Sequence, residues 1–295
     1  MLSIFRIFRI FIIYLIFYCS GLTAIGTHFL TFPESARDLA LGGHVSFGGS
    51  ASVNPALIES SQSSPSLSIN SGQWYGGIRM SGLNYVHKIG AYNNKLFIRQ
   101  AEITDLEFRD DRPSDEPNTT FAAYGMSIGS GLSYQTSIGR FGASINALYF
   151  TIYDQHSNGV SFDLGYSNVL GNNWGIGLAL LNIGAVSKFY QEVPKLPNRF
   201  LAGISKDLSV GDISNRLYIT SESSSFHDSW KVKVGNYAQW KKFRVLGGLS
   251  KTKHSSTLSF GSGFVYGRFE ITYAMRFGSQ DIGVPKNLSL NFQLP

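Results

Sequence analysis

Hydrophobic and polar residues alternate with a period of two along most of the chain. In Phe269-Glu-Ile-Thr-Tyr-Ala-Met-Arg-Phe277 the odd positions are Phe, Ile, Tyr, Met and Phe, and the even positions are Glu270, Thr272, Ala274 and Arg276. In 287–294 one face carries Leu288, Leu290, Phe292 and Leu294, and the other Asn287, Ser289, Asn291 and Gln293. Val160, Phe162, Leu164 and Tyr166 alternate in the same way with Ser161, Asp163, Gly165 and Ser167. Successive side chains of a strand point to opposite faces, so this pattern predicts strands with one apolar and one polar side. It places them at 66–73, 76–87, 94–108, 120–138, 141–154, 158–169 and 174–183, then at 199–208, 214–223, 229–239, 242–252, 256–266, 268–277 and 286–294.

The connections sharpen the prediction. Gly139-Arg140, Trp240-Lys241 and Gly267 leave room only for tight turns, whereas Arg109 to Thr119, Gly184 to Asn198 and Gly278 to Pro285 are longer. Short and long links alternate, as in an up-and-down transmembrane barrel with short periplasmic turns and longer external loops. About fourteen strands, an even number, put both ends of the wall on the periplasmic side. Alternation alone suits a water-soluble barrel with an apolar interior equally well. Three features favour the membrane. They are an export signal, strands of ~10 residues, and aromatics near strand ends: Trp74, Tyr75, Trp174, Trp230, Trp240 and Tyr266.

Residues 1–24 read as that signal. Arg6 and Arg9 are followed by the uncharged apolar stretch Ile10 to Tyr18 and by the small residues Ser20, Gly21, Thr23 and Ala24. Cleavage is expected after Ala24. The stretch falls short of the ~20 residues of a spanning helix. Residues 25–65 do not alternate. Phe32 to Gly43 predicts a short helix with Pro33 at its start and Gly42 at its end, and Asn54-Pro55 predicts a tight turn. A compact segment ahead of a barrel has a natural home in the lumen, as a plug or hatch; the alternative is a periplasmic tail. The chain therefore divides into a signal peptide (1–24), a hatch segment (25–65) and an outer-membrane barrel (66–295).

Composition agrees. The chain has 22 Phe, 15 Tyr and 32 Gly, and only 15% of its residues are charged, against the ~25% usual in soluble domains. A mean hydropathy of −0.01 excludes a bundle of transmembrane helices. The net charge of +6 includes Arg6 and Arg9, and the remaining basic residues are scattered, so no nucleic-acid partner is implied. The single cysteine, Cys19, lies in the signal and excludes disulfides and thiolate metal sites from the exported chain.

Catalytic patterns are missing from the sequence. The six histidines (His28, His44, His87, His156, His227 and His254) have no metal-ligand spacing, and no Gly-x-Ser-x-Gly elbow or phosphate loop occurs. The expectation is a non-enzymatic protein with no cofactor and no metal. Three segments remain as candidate sites. Asn54-Pro55-Ala56 is a candidate ligand gate. The acidic stretch Glu102 to Glu116, with Asp110 and Asp111, and the loop carrying Phe189 and Tyr190 are candidate partner-binding loops.

One resemblance ties these segments together. Ser35-Ala-Arg-Asp-Leu-Ala-Leu-Gly-Gly43, followed by Asn54-Pro-Ala-Leu57, resembles the N-terminal signature of the PorV/PorQ family, and its Asn-Pro-Ala element resembles the hatch of FadL-type channels. Ser157 to Tyr166, Leu181 to Gly184 with Leu196 to Ser205, and Tyr266 to Ala274 resemble further segments of that family in order. The opening looks closer to the PorQ side. The terminal Pro295 departs from the aromatic ending common in such barrels. The resemblance implies a fourteen-stranded FadL-like barrel in the bacterial outer membrane, working in type IX secretion or surface attachment as a platform for other proteins. The hatch-like element also implies an alternative, transport of a hydrophobic small molecule. Outer-membrane lipid is the partner common to both.

Overall fold

The computed structural model describes residues 25–59, 64–109, 115–279 and 283–295. The expected signal with Cys19, and the loop residues Asp110 and Asp111, lie outside the described residues. Fourteen strands follow one another along the chain: β1 (Ser66–Gln73), β2 (Arg79–Ile89), β3 (Tyr92–Phe108), β4 (Thr119–Thr136), β5 (Gly139–Ile152), β6 (Gln155–Leu170), β7 (Trp174–Val186), β8 (Arg199–Val210), β9 (Ile213–Ser224), β10 (Lys231–Trp240), β11 (Phe243–Lys251), β12 (Ser256–Tyr266), β13 (Phe269–Gly278) and β14 (Lys286–Gln293). Each pairs antiparallel with its neighbours, and β1 closes the ring on β14 with Ile69 opposite Leu290. The expected all-β, fourteen-stranded, up-and-down barrel is the observed fold.

The faces of the wall settle what alternation left open. Outward residues such as Leu83, Phe162, Ile219, Phe260 and Leu290 are exposed, with Phe162 at 50% and Phe260 at 53%. Inward residues such as Asn70, Ser127, Asn146, Ser161, Thr220 and Asn287 are buried. A water-soluble barrel would have the reverse arrangement. A chain that turns its large apolar side chains outward around a closed ring is built for lipid.

Links at one end are short: 90–91, 137–138, 171–173, 211–212, 241–242 and 267–268. The strand termini at Ser66 and Gln293 lie at this turn end. The opposite, loop end carries 74–78, 109–118, 187–198, 225–230 and 279–285, together with the shorter links 153–154 and 252–255. Aromatics ring the turn end. Trp240 stacks on Phe243 (6.4 Å between centroids), Phe243 meets Phe264 (5.2 Å) and Phe269 meets Phe292 (4.7 Å). Trp74 departs from the expected belt. It turns into the lumen, where its ring packs on Phe32 at 5.1 Å and under the Arg276 guanidinium at 5.2 Å.

Residues 25–59 thread the lumen from the loop end towards the turn end. A 3₁₀ turn, Ile25–Thr31, comes first, with Phe29 against Phe150 of β5. Helix α1 (Ala36–Leu41) follows, and its Leu39, Ala40 and Leu41 bury against Tyr218, Leu246 and Ala274 of the wall. The helix begins later than the sequence suggests. Ser35, not Pro33, forms the cap, its hydroxyl accepting from Asp38 N at 3.1 Å. Gly42 ends the helix as expected, in the left-handed region at φ 94°.

Candidate ligand site in the barrel lumen

Near the turn end, Asn54 organises the lumenal segment. It caps the 3₁₀ turn Pro55–Leu57, its Oδ1 accepting from Ala56 N at 3.0 Å. Its Nδ2 donates to Val45 O at 2.6 Å and to Tyr166 O of β6 at 3.0 Å. A fully buried side chain must satisfy both its amide donors and its acceptor, and here the same residue ties the turn to the wall. The wall yields space for it. A Cβ at Gly142 or Gly165 would overlap Pro55 and Asn54, so glycine is required at both. Ile58 O then accepts from Ser133 Oγ at 2.5 Å.

Charged and polar pairs hold the middle of the segment. His44 is buried, with Nε2 2.8 Å from Leu41 O and Nδ1 2.8 Å from the Thr220 hydroxyl, and it stacks on Tyr218 at 4.8 Å. A carbonyl can only accept, so Nε2 carries the proton and Nδ1 accepts from Thr220. Burial and the nearby Lys233 charge lower the His44 pKa to about 3, so the ring is neutral. Arg37 donates to Gly48 O at 2.7 Å and lies over the Tyr237 ring at 4.7 Å. Glu34 sits 3.0 Å from Lys95 Nζ of β3. Burial acts to raise the Glu34 pKa, but Lys95 and Arg99 outweigh it and hold the carboxyl below its usual range.

The loop end is different. A cavity of about 470 Å³ lies between the lumenal segment and the wall. Phe29 and Phe32 form its floor, and Ala101, Ala123, Phe150 and Ile152 line the wall. Phe189 and Pro194 of the 187–198 loop complete it. The wall changes character to make it. On β5 the inward residues run Ser144 and Asn146, then Leu148, Phe150 and Ile152; on β3 they run Lys95, Phe97 and Arg99, then Ala101 and Ile103, so the charged residues end at Arg99. Beside it the β3–β4 ladder shifts register between Ile103 and Leu106, with Asp105 at φ 59°. A mostly apolar pocket of roughly 300–1,000 Å³ is the usual shape of a small-molecule site.

The sequence-predicted residues separate accordingly. Asn54, Pro55 and Ala56 are buried, far along the segment from the apolar cavity, and fasten it to β4–β6. Phe189 lines the cavity. Tyr190 beside it points outward, 73% exposed, in a left-handed conformation at φ 55°. Glu102 and Glu107 of the acidic stretch lie within ion-pair reach of Arg79 and Arg109. Among the described residues, no cluster of three metal-ligating side chains occurs.

No protein-family model matches the chain, and no curated protein matches it in sequence. Solved structures do match in shape. The monoaromatic hydrocarbon channel CymD superposes with a TM-score of 0.64 at 11% identity, covering 92% of this chain and 99% of that one. The fold of this chain is the one that channel has. The toluene transporter TodX of Pseudomonas putida gives 0.62 at 11% identity, with 93% and 99% covered. The toluene transporter TbuX of Ralstonia pickettii gives 0.60 at 12%, with 95% and 100% covered. At such identity the likeness is one of fold, and the ligand chemistry has to be argued from this chain's own residues.

Proposed function

We propose that this protein is a non-enzymatic outer-membrane channel for hydrophobic small molecules. The observation that carries this reading is the apolar cavity of about 470 Å³ at the loop end, floored by Phe29 and Phe32. A polar lumen closed by loops would need no such cavity. An apolar solute gains roughly 25 cal/mol for each Å² of its surface removed from water, so a cavity of this kind can capture it from solution. The lumenal segment below then acts as the gate, with Asn54, Pro55 and Ala56 as its anchor. The β3 irregularity between Ile103 and Leu106 weakens the wall beside the cavity. The fold shared with hydrocarbon channels supports the same reading.

Binding of N-phenyl-1-naphthylamine, a neutral apolar fluorophore, to the purified barrel tests it. The dye is expected to brighten on binding wild-type protein, and Ala123→Trp, which fills the cavity, is expected to remove the signal. Equal binding to both proteins would sink the reading.

A second reading keeps the implication of the Ser35–Gly43 motif, a partner-binding platform in type IX secretion or surface attachment. Its support is the 187–198 loop, where Tyr190 and Val193 (56% exposed) present bulky apolar groups to the outside. Capture of secretion components from native membranes by wild type, lost in Tyr190→Ser, is its test.

A further inference from the structure

We propose that a second lumenal chamber, cationic rather than apolar, binds an oxyanion, a carboxylate or phosphate group. The chamber has a volume of about 220 Å³ and lies on the other side of the 30–33 stretch from the apolar cavity. Arg99, Arg199, Lys231, Lys233 and Arg276 reach it from four different strands. Asp38 and Glu222 are the acids that line it. Five cations against two acids on the lining leave a formal excess of three positive charges, offset in part at Arg99 by Glu34 and Asp163, which face its other side.

The pairing pattern makes the excess directional. Glu222 takes up two of the cations, Arg199 Nε at 2.7 Å and Lys233 Nζ at 2.5 Å, and all three side chains are more than nine-tenths buried. Lys231, Arg99 and Arg276 have no carboxylate within ion-pair distance among the described residues. Arg276 is held in place by Leu39 O at 3.1 Å, Ser259 Oγ at 3.2 Å and the Trp74 ring. Arg99 Nε and the Thr257 hydroxyl, both on the lining, have no hydrogen-bond partner. Unpaired positive charge and unmet donors facing one chamber inside the barrel are costly without a counter-charge. A carboxylate or phosphate supplies both the charge and the acceptor oxygens, and charge-assisted bonds to it are the strong kind.

Two sources fit. A free anion would occupy the chamber alone. An anionic amphiphile would place its head there and its tail beyond Phe32, which lines both spaces. The chamber is separate from the apolar cavity, so the proposal stands without the transport reading.

Titration calorimetry on the full barrel in non-ionic detergent decides it, with sodium phosphate, sodium octanoate and neutral octan-1-ol as probes. Lys231→Gln combined with Arg99→Gln removes two charges without breaking an ion pair. Phosphate or octanoate is expected to bind wild type and to bind the double variant at least roughly tenfold more weakly, while octan-1-ol is unaffected. Comparable binding of phosphate and octanoate assigns a free-anion site, and binding of octanoate alone assigns a head-group site. Heat-modifiable migration in gels verifies that the variant is folded. Failure of both anions to bind folded wild type, or undiminished anion binding by the folded double variant, overturns the proposal.

Discussion

Lys95 Nζ of the barrel wall lies 3.0 Å from both carboxylate oxygens of Glu34 on the lumenal segment, and the two side chains are only 7% and 5% exposed. The pair fastens the segment to β3 three inward positions below Ala101 of the apolar cavity. Removing one member leaves a buried charge, which costs roughly 3–5 kcal/mol, whereas replacing both by apolar groups is often neutral. Lys95→Met should therefore loosen the segment, and Glu34→Leu with Lys95→Met should restore much of its docking. Hydrogen exchange over residues 25–59 measures the difference. Equal protection in wild type and Lys95→Met would remove the pair from this role.

Asn54 makes a sharper demand. Its amide donates to two carbonyls while its oxygen accepts from Ala56 N. Aspartate keeps the acceptor and loses both donors, and it adds a buried charge facing carbonyl oxygens. Asn54→Asp is expected to release the 50–58 stretch by ~2–4 kcal/mol or more, seen as protease cleavage there in a barrel that stays folded. Cleavage no faster than in wild type would contradict the anchoring role.

Acid should loosen the same segment. The His44 pKa is lowered from 6.5 to about 3, so the docked state favours the neutral ring. That contribution is complete above pH 6.5 and is lost as pH falls towards 3, because the released ring binds a proton the docked ring refuses. Glu34, held below its usual range, acts in the same direction over the acidic part of that window. Protection of residues 36–50 should decline between pH 7 and pH 4, and His44→Gln should flatten the upper part of the decline. A profile flat in wild type would refute the assignment of His44 as a neutral, docked ring.

The barrel was largely legible in the sequence because period two is a direct readout of a two-faced wall. Strand limits agree to within three residues, as at 76 against Arg79 and 183 against Val186. Alternation alone did not give the orientation of the faces, since it is identical for a soluble and a membrane barrel; the expectation of an outward apolar face rested on the export signal, the strand lengths and the aromatics near strand ends, and the exposed Phe162 and Phe260 agree with it. The apolar cavity left a trace that alternation analysis passes over. Ala147-Leu-Tyr-Phe150 is apolar at consecutive positions, which in a membrane barrel means lipid on one side and a cavity on the other. The same holds for Trp74, whose place near a strand end suggests the interfacial belt until its contacts with Phe32 and Arg276 are seen. The cationic chamber had no local signal, because its five basic residues are scattered from 99 to 276 and meet only when the ring closes.

Transport of an apolar solute across the outer membrane is the central claim, and dye uptake tests it most directly. Cells with an intact outer membrane exclude N-phenyl-1-naphthylamine, and its fluorescence reports passage. With equal amounts of folded barrel, wild type should raise the uptake rate several-fold over cells lacking it, and Ala123→Trp should return the rate to background. Uptake by wild type no faster than in cells without the barrel would contradict the account.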